Sequence, residues 1–410
     1  KLTWSGSVPA ADIQALGNGD LTVSASVTNQ NGNTGSGTRD ITIDANLPGL
    51  RVDTVAGNDV VNIIEHGQAL VVTGSSSGLA EGTPLTVTIN NVEYTSAVQA
   101  DGSWSVGVTA EQVSAWPAGT VSIAVSGASS AENPESITHP VMFYITPAAI
   151  TINTIATDDV INAAEKGANL TLSGTTTNVE PGQTVTVTFG GKNYTASVAS
   201  DGSWSATVPA ADLALLTDGS ASAQASVSNI NGNSASAVHN YSVDSSAPTI
   251  IINTVASDNI VNASEADAGV TVSGSTTAEA GQIVTVTLNS PTVQTYQATV
   301  QADGSWSINI PAADLEALTD GSHTLTATVN DKAGNPASTT HNLAVDLTVP
   351  VLTINTIAGD DIINAAEHGQ ALVISGSSTG GEAGDVVSVT LNSKTYTTTL
   401  DASGNWSGGV

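Results

Sequence analysis

The sequence predicts an all-β chain built of tandem domains of about 100 residues each. Two observations lead to this fold class: Trp recurs at a fixed period, and apolar residues alternate with polar ones between its copies. Five of the Trp residues lie 100, 100, 102 and 100 positions apart, at Trp4, Trp104, Trp204, Trp306 and Trp406. A fixed period of this length indicates a repeat protein in which each copy forms a like structural unit.

A second recurring phrase sets the expected boundaries of the repeats. VPAADLALLTDG at 208–219 returns as VPAADIQALGNG at 8–19 and IPAADLEALTDG at 310–321, and residues 108–119 are a looser copy. The expected divisions are the C-terminal half of a domain at 1–46, a divergent repeat at 47–147, repeats at 148–247 and 248–349, and the N-terminal half of a domain at 350–410.

Within each repeat the apolar residues recur with a period of two, which is the pattern of half-buried β-strands. In the repeat 47–147, turn signals separate six such runs, at 69–76, 84–91, 94–100, 103–109, 120–127 and 136–145. Segments like 152–156 supply a seventh strand, and only the PAADLALL phrase indicates a helical turn. About seven short strands in each repeat predict a tandem array of Ig-like β-sandwiches. We expect the repeated Trp to pack between the sheets, with stacking on a ligand as the less favoured alternative.

The composition excludes several classes of partner. The chain carries 37 Asp and Glu against 7 Lys and Arg, a formal net charge of −30, so nucleic acid and anionic membrane surfaces are not expected partners. The absence of Cys removes disulfides, thiolate metal sites and thiol catalysis. No apolar run approaches the roughly 18 residues of a membrane span, so we expect no direct membrane insertion. We expect the chain to be a monomer.

Carboxylates and carboxamides recur in register wherever one repeat meets the next. An Asp ends a repeat at Asp44, Asp244 and Asp346. The next repeat opens with a pair of Asp or Asn residues: Asn58–Asp59, Asp158–Asp159, Asp258–Asn259 or Asp360–Asp361. An Asn and, three residues later, a Glu follow each pair: Asn62 and Glu65, Asn162 and Glu165, Asn262 and Glu265, or Asn364 and Glu367. Hard oxygen donors of this kind, with no thiol and no regular His, are the ligands that Ca²⁺ prefers. A calcium site is therefore predicted at each junction.

The competing interpretation is that these residues only cap turns, since Asp and Asn do so readily. Their recurrence in four copies on both sides of a linker favours calcium. Asp331, in the loop 331–335, is a further candidate ligand, expected at the last junction together with Asp346, with a plain hairpin turn as its alternative. The junction after the second repeat departs from the pattern, because Tyr144 occupies the position that is Asp elsewhere.

Sequence signals for an enzyme are lacking. There is no nucleophile elbow, no P-loop and no HExxH motif. The six His residues are interpreted as scattered surface residues without metal-ligand spacing. The carboxylates recur by period and do not gather in one pocket, which argues against a glycosidase pair. We expect no enzymatic activity.

In combination, DGSWS at 201–205, the VPAADLALLTDG phrase, the INTIA-containing segment 152–165 and the linkers of the form VDxxxP resemble the bacterial Ig-like repeats of giant adhesins secreted by type I systems. The resemblance covers essentially the whole chain. It implies an elongated extracellular rod, exported unfolded through type I secretion machinery, that folds on meeting Ca²⁺ at the bacterial cell surface. It also implies attachment to host epithelial cells and a role in virulence. The ligands it implies are Asp44, Asp59 and Glu65; Asp244, Asp258 and Glu265; Asp346, Asp360 and Glu367; and, only in part, Asp158, Asp159 and Glu165.

Two functions stay open at this point. The regularity of the copies favours a stiff, calcium-clamped spacer, because a spacer needs every copy alike. The alternative is a segment that itself binds host-cell glycans or another receptor, for which the divergent stretch 127–144 is the only candidate.

Overall fold

The computed structural model describes residues 2–289 and 292–409, whose secondary structure is almost entirely β-strand. The chain forms two compact units. The first unit consists of Lys1–Ile155, Leu170–Val208 and Ala221–Asn240. The second unit consists of Ala156–Asn169, Pro209–Ser220 and Tyr241–Val410. No helix in the described ranges is long and apolar enough to cross a membrane. The predicted all-β fold of tandem Ig-like domains is confirmed.

The first unit contains the partial first repeat and the whole of the second. Residues up to 46 form α1 (Ala10–Gln14), β1 (Gly19–Thr28) and β2 (Thr34–Ile43). The repeat 47–147 forms β3 (Gly49–Val52), a 3-10 helix (Val55–Gly57), β4 (Val60–Val61), α2 (Ile63–His66), β5 (Leu70–Ser77), β6 (Pro84–Ile89), β7 (Val92–Ala97), β8 (Ser103–Val108), α3 (Ala110–Ser114), β9 (Gly119–Ala128) and β10 (Pro134–Phe143).

The strands of the repeat 47–147 form two sheets that enclose one apolar core. One sheet has the order β3-β5-β8 and the other the order β4-β10-β9-β6-β7. Their neighbours pair antiparallel except β4 and β10, which run parallel, with Val60 opposite Met142 and Val61 opposite Phe143. Alternate residues of both sheets point inward, as period-two strands require.

The third repeat is shared between the two units. It forms β11 (Ala149–Ile150), β12 (Val160–Ile161), α4 (Ala163–Lys166), β13 (Leu170–Thr177), β14 (Thr184–Phe189), β15 (Lys192–Ser197), β16 (Ser203–Val208), α5 (Ala210–Leu213), β17 (Gly219–Ser228) and β18 (Ser234–Val243). In the first unit, β11, β13 and β16 form a three-stranded sheet and β14 pairs with β15 and β17. In the second unit, β12 pairs in parallel with the end of β18.

The fourth repeat and the partial fifth complete the second unit. They form β19 (Ile250–Ile252), β20 (Ile260–Asn262), α6 (Ala263–Ala268), β21 (Val270–Thr276), β22 (Ile283–Asn289), β23 (Val293–Thr299), β24 (Ser305–Ile310), α7 (Ala312–Glu316), β25 (Gly321–Asn330), β26 (Pro336–Asp346), β27 (Val351–Ile354), β28 (Val373–Thr379), β29 (Val386–Leu391), β30 (Lys394–Thr399) and β31 (Asn405–Gly409). The sheets β19-β21-β24 and β20-β26-β25-β22-β23 repeat the order of the second repeat.

The repeated Trp packs in the core, as predicted. Trp104, Trp204, Trp306 and Trp406 are each at most 3% exposed, whereas Trp4 of the partial first repeat is exposed. Each buried Trp lies opposite a Gly on the neighbouring strand, for example Trp104 opposite Gly74. A Cβ at Gly74 would lie 2.3 Å from Trp104 Cζ2 and 2.1 Å from the carbonyl oxygen of Arg51. The Gly is therefore required because the ring and a backbone strand occupy the space of a side chain.

Two details of the predicted secondary structure are wrong. The segment 152–156 is not a strand; the strand of that repeat lies just before it, at β11, because positive-φ residues Ala156, Thr157 and Asp159 turn the chain into a loop. The sequence reading also missed the short helices α2, α4 and α6, each of which begins directly after the junction Asn.

Candidate functional site

In the second, fourth and fifth repeats, one side-chain oxygen closes the loop that opens the repeat. Oδ1 of Asp59 accepts a hydrogen bond from the Val55 N–H at 2.8 Å, and Oδ1 of Asp361 accepts one from the Ile357 N–H at 2.8 Å. Asn259 makes the same bond to Val255 N through its amide oxygen, at 2.9 Å. Either residue type can close the loop, since both present an oxygen acceptor at the same place.

A histidine from the last long strand reaches the same oxygen. His139 Nε2 lies 2.8 Å from Asp59 Oδ1, and His341 Nε2 lies 2.7 Å from Asn259 Oδ1. His139, His239 and His341 share one register in the repeats, so the interpretation of the histidines as scattered is wrong for these three. His323 also departs from the surface interpretation, because it is buried and bonds the Thr319 carbonyl oxygen.

The environment of Asp59 shifts its acidity. Partial desolvation acts to raise the pKa of Asp59, but the hydrogen bonds from His139 and the Val55 N–H stabilise the carboxylate and outweigh it. The net result is a pKa below the ordinary value for Asp. Asp59 is therefore held as an anion in the loop that leads into α2.

The junction Asn and Glu form a capping box. Asn62 Oδ1 accepts from the N–H groups of Ile64 at 2.9 Å and Glu65 at 3.1 Å, while Glu65 Oε2 accepts from the Asn62 N–H at 3.0 Å. The same reciprocal bonds join Asn162 to Glu165, Asn262 to Glu265 and Asn364 to Glu367. The spacing of an Asn three residues before a Glu is a helix-start signal, so this role was readable from the sequence.

The other acidic residues of the predicted set also serve as turn acceptors. Asp158, Asp258 and Asp360 each accept a hydrogen bond at 3.0 Å from the N–H two residues on. Asp244 and Asp346 accept in the same way from Ser246 at 3.3 Å and Thr348 at 3.1 Å. Asp44 accepts both the N–H and the side-chain amide of Asn46. The turn interpretation is thus realised at these positions, and a metal role would be additional to it.

Two residues outside the predicted set fix the linkers between repeats. Asp218 accepts hydrogen bonds from the N–H and hydroxyl of Ser245 and the hydroxyl of Ser246, which hold its pKa below the ordinary value. Asp320 accepts from the Leu347 N–H and the Thr348 hydroxyl, with the same effect on its pKa. The divergent repeat has Ala118 at this position and loses the contact.

Asp331 is the most buried carboxylate of the predicted set, at 7% exposure. Its two oxygens accept from the N–H of Asn335 at 2.8 Å and from the Asn335 side-chain amide at 2.9 Å. No Lys, Arg or His of the described chain pairs with it. An anion in such surroundings is costly unless a cation or further donors offset its desolvation.

The predicted position of Asp331 at the last junction is wrong. β25 and β26 form a long antiparallel hairpin in which Gly321 faces Val345 and Asn330 faces Pro336. The turn 331–335 consequently lies at the opposite end of the hairpin from Asp346. It contacts the preceding junction, where Asn335 Nδ2 donates to the Asp244 carbonyl oxygen at 2.9 Å and the Ala163 N–H donates to Asn335 Oδ1 at 2.8 Å.

The expected grouping of Asp244 with Asp258 and Glu265 is wrong, because β20 pairs with the end of β26 and places Asn262 opposite Asp346. β12 pairs with the end of β18 and brings the segment of Asn162 and Glu165 to Asp244 instead.

The donor chemistry of this junction fits a hard cation. Asp331, the Asp244 linker and the segment of Asn162 and Glu165 supply carboxylate and carbonyl oxygens, which are the ligands of Ca²⁺. Within residues 2–289 and 292–409, however, no three His, Asp or Glu side chains converge in a metal-binding arrangement. Carbonyl and amide oxygens would therefore have to supply much of any coordination sphere.

Comparisons with known proteins give a consistent family. Residues 247–347 match the family model of the bacterial Ig-like domain. Among curated proteins, none matches the chain. One solved structure is an adhesin described as Ca²⁺-stabilised, which helps an Antarctic bacterium to reach out and bind ice. Its sequence is 35% identical to this chain; the match covers 90% of this chain and 91% of that chain, with a TM-score of 0.39.

Two further solved structures are also adhesin segments. One belongs to a 1.5-MDa bacterial ice-binding adhesin studied for its retention at the host cell surface; it is 33% identical over 73% of this chain and 98% of that chain, with a TM-score of 0.40. The other is a tetra-tandem repeat from the extending region of a large adhesion protein, 25% identical over 88% of this chain and 90% of that chain, with a TM-score of 0.30.

Proposed function

Because this chain belongs to the family of bacterial Ig-like domains, we propose that it is a calcium-rigidified stalk segment of a giant secreted bacterial adhesin. The stalk would lie outside the cell, after export by type I secretion machinery, and would hold a terminal binding region away from the bacterial surface. We propose that the whole adhesin attaches the bacterium to host epithelial cells, because the repeats resemble those of SiiE, the giant non-fimbrial adhesin of Salmonella. The proposed role is structural, without enzymatic activity.

The observation that carries the proposal is the recurrence of oxygen donors, in one register, at the junctions of similar repeats. Ca²⁺ would be held by the residues named in the sequence, with Asp331, Asp244 and Glu165 as the best-placed carboxylates in the second unit. An ion there would neutralise carboxylates that otherwise repel one another and would fix the linker relative to both neighbouring repeats. The similarity to an adhesin described as Ca²⁺-stabilised supports this choice of metal.

The junction between the repeats 47–147 and 148–247 has fewer acidic donors. Tyr144 replaces the Asp that ends the other repeats, and Ala118 replaces the linker-binding Asp218. We therefore propose weaker calcium binding at this junction than at the next one. Asp158, Asp159 and Glu165 belong to the repeat that follows, and their segment lies beside Asp244 at the next junction, so they do not replace the missing Asp.

The alternative, direct receptor binding by the stretch 127–144, has less support. Phe143 is 2% exposed and packs edge-on against Trp116, with ring centroids 5.3 Å apart, so core packing accounts for it. Met142 is exposed, but a single exposed apolar side chain is ordinary on a protein surface. The stalk therefore remains the proposed function.

The test is a metal count combined with small-angle scattering of the full chain, in Ca²⁺ and in excess chelator. The stalk proposal expects about one tightly held ion per well-conserved junction and a chain that becomes more flexible on chelation. Asp244→Asn should lower the ion count, whereas Glu93→Gln, an exposed change on the edge strand β7, removes one charge away from any junction and should leave it unchanged. Unchanged dimensions and no bound ion would contradict the calcium part of the proposal.

A further inference from the structure

Two buried asparagines lie where adjacent repeats touch. Asn233 is 2% exposed and Asn335 is 1% exposed, although each sits at the end of a hairpin turn. A buried carboxamide must satisfy both its donor and its acceptor atoms. Both asparagines do so mainly with backbone groups of the preceding repeat.

The contacts of the two residues match. The Ile63 N–H donates to Asn233 Oδ1 at 2.8 Å, and Asn233 Nδ2 donates to the Tyr144 carbonyl oxygen at 2.7 Å. At the next junction the Ala163 N–H donates to Asn335 Oδ1 at 2.8 Å, and Asn335 Nδ2 donates to the Asp244 carbonyl oxygen at 2.9 Å. One amide thus joins the first N–H of a short helix to the carbonyl of the linker behind it.

The residue before each asparagine is a glycine that lets the turn approach this closely. Gly232 has φ +83° and Gly334 has φ +89°, a backbone region that L side chains avoid. A Cβ at Gly232 would lie 3.1 Å from Asn62 Nδ2. The glycine thus permits the turn itself, and at Gly232 it also leaves room for Asn62 of the preceding repeat.

We propose that Asn233 and Asn335 couple adjacent repeats without the help of a metal ion. Each carboxamide accepts from a backbone N–H and donates to a backbone carbonyl oxygen of the preceding repeat, so the link needs no further ligand. Asn233 supplies the contact at the junction where Tyr144 has replaced an acidic residue. Mechanical continuity between the repeats 47–147 and 148–247 accordingly depends on Asn233 more than on calcium.

The experiment is amide hydrogen exchange on the full chain in excess chelator, followed by NMR or by mass spectrometry at the resolution of single residues. The Ile63 N–H should be protected in the wild type under these conditions. Asn233→Ala removes its acceptor, and its protection should fall by about tenfold, the equivalent of about 1.4 kcal/mol. Asn33→Ala is the matched control, because Asn33 holds the same place in the exposed turn of the first repeat.

The readouts separate loss of coupling from loss of folding. Core amides of the repeat 148–247, such as Val187 in β14, should keep their protection in Asn233→Ala. Equal exchange of Ile63 in the wild type and in Asn233→Ala would overturn the proposal. So would an Ile63 amide that is unprotected in chelator and becomes protected only when Ca²⁺ is added, because the metal alone would then order the junction. An absence of calcium binding leaves the proposal standing.

Discussion

Gly74 in β5 has no room for a side chain, and Gly74→Ala tests whether the Trp–Gly pair determines the stability of a repeat. The new Cβ would lie 2.1 Å from the Arg51 carbonyl oxygen and 2.3 and 2.5 Å from two atoms of the Trp104 ring. Neither neighbour can move easily, since one is strand backbone and the other is a ring that is 1% exposed. Overpacking of a well-packed core costs about 1–3 kcal/mol and occasionally more, and two simultaneous clashes place this change at about 3 kcal/mol.

Differential scanning calorimetry of the full chain can measure the effect. For a domain of about 100 residues, each 1 kcal/mol lowers Tm by about 4–8 °C, so about 3 kcal/mol corresponds to a drop on the order of 15 °C in the transition of the repeat 47–147. Gly107→Ala is the matched control, because Gly107 lies in β8 of the same sheet and a Cβ there meets nothing within 4 Å. The control should leave Tm unchanged or raise it slightly. Equal melting of the two variants would refute the reasoning.

Three further predictions follow from the junction geometry. His139→Gln should raise the pKa of Asp59 toward its ordinary value, and NMR titration of Asp59 measures the change. Because the folded pKa of Asp59 is lowered, its contribution to stability is present above about pH 4 and is lost as the pH falls through the folded pKa. Asn262→Ala should destabilise the fourth repeat by about 1 kcal/mol through loss of the helix cap, whereas Asn262→Asp should retain most of it, as thermal melting can show. Asp320→Ala should speed hydrogen exchange at the Leu347 amide, and an unchanged rate would mean that the linker is fixed by other contacts.

The regular part of this fold was predictable because it depends on local patterns. Alternating apolar residues identify the strands, and the spacing of Trp104 from Trp204 identifies the repeat. The segment 152–156 misled because its apolar residues resemble a strand while the following positive-φ residues demand a loop. In the loop the side chains do not alternate: Thr154 is exposed and Ile155 is buried.

The junctions were less predictable because their contacts join residues far apart in the chain. Asn62 and Glu65 carried a readable local signal, a capping box, beside the metal interpretation. The bond from Ile63 to Asn233 spans 170 positions and has no local signature. The sequence position of Asp331 near Asp346 does not predict its place, because the length of the hairpin β25–β26 puts its turn at the other end of the repeat.

The parallel pairing of β4 with β10 determines how a repeat responds to tension. In the second repeat the chain reaches β4 after β3 and leaves after β10. Besides the ladder, the Met142 N–H donates to the Asp59 carbonyl oxygen at 2.9 Å and the Tyr144 N–H donates to the Val61 carbonyl oxygen at 3.0 Å. A force that pulls the two ends apart therefore loads these bonds together in shear instead of opening them one after another. β20 and β26 give the fourth repeat the same arrangement. In each of these two repeats the parallel pair is therefore a point at which tension is resisted by several hydrogen bonds at once.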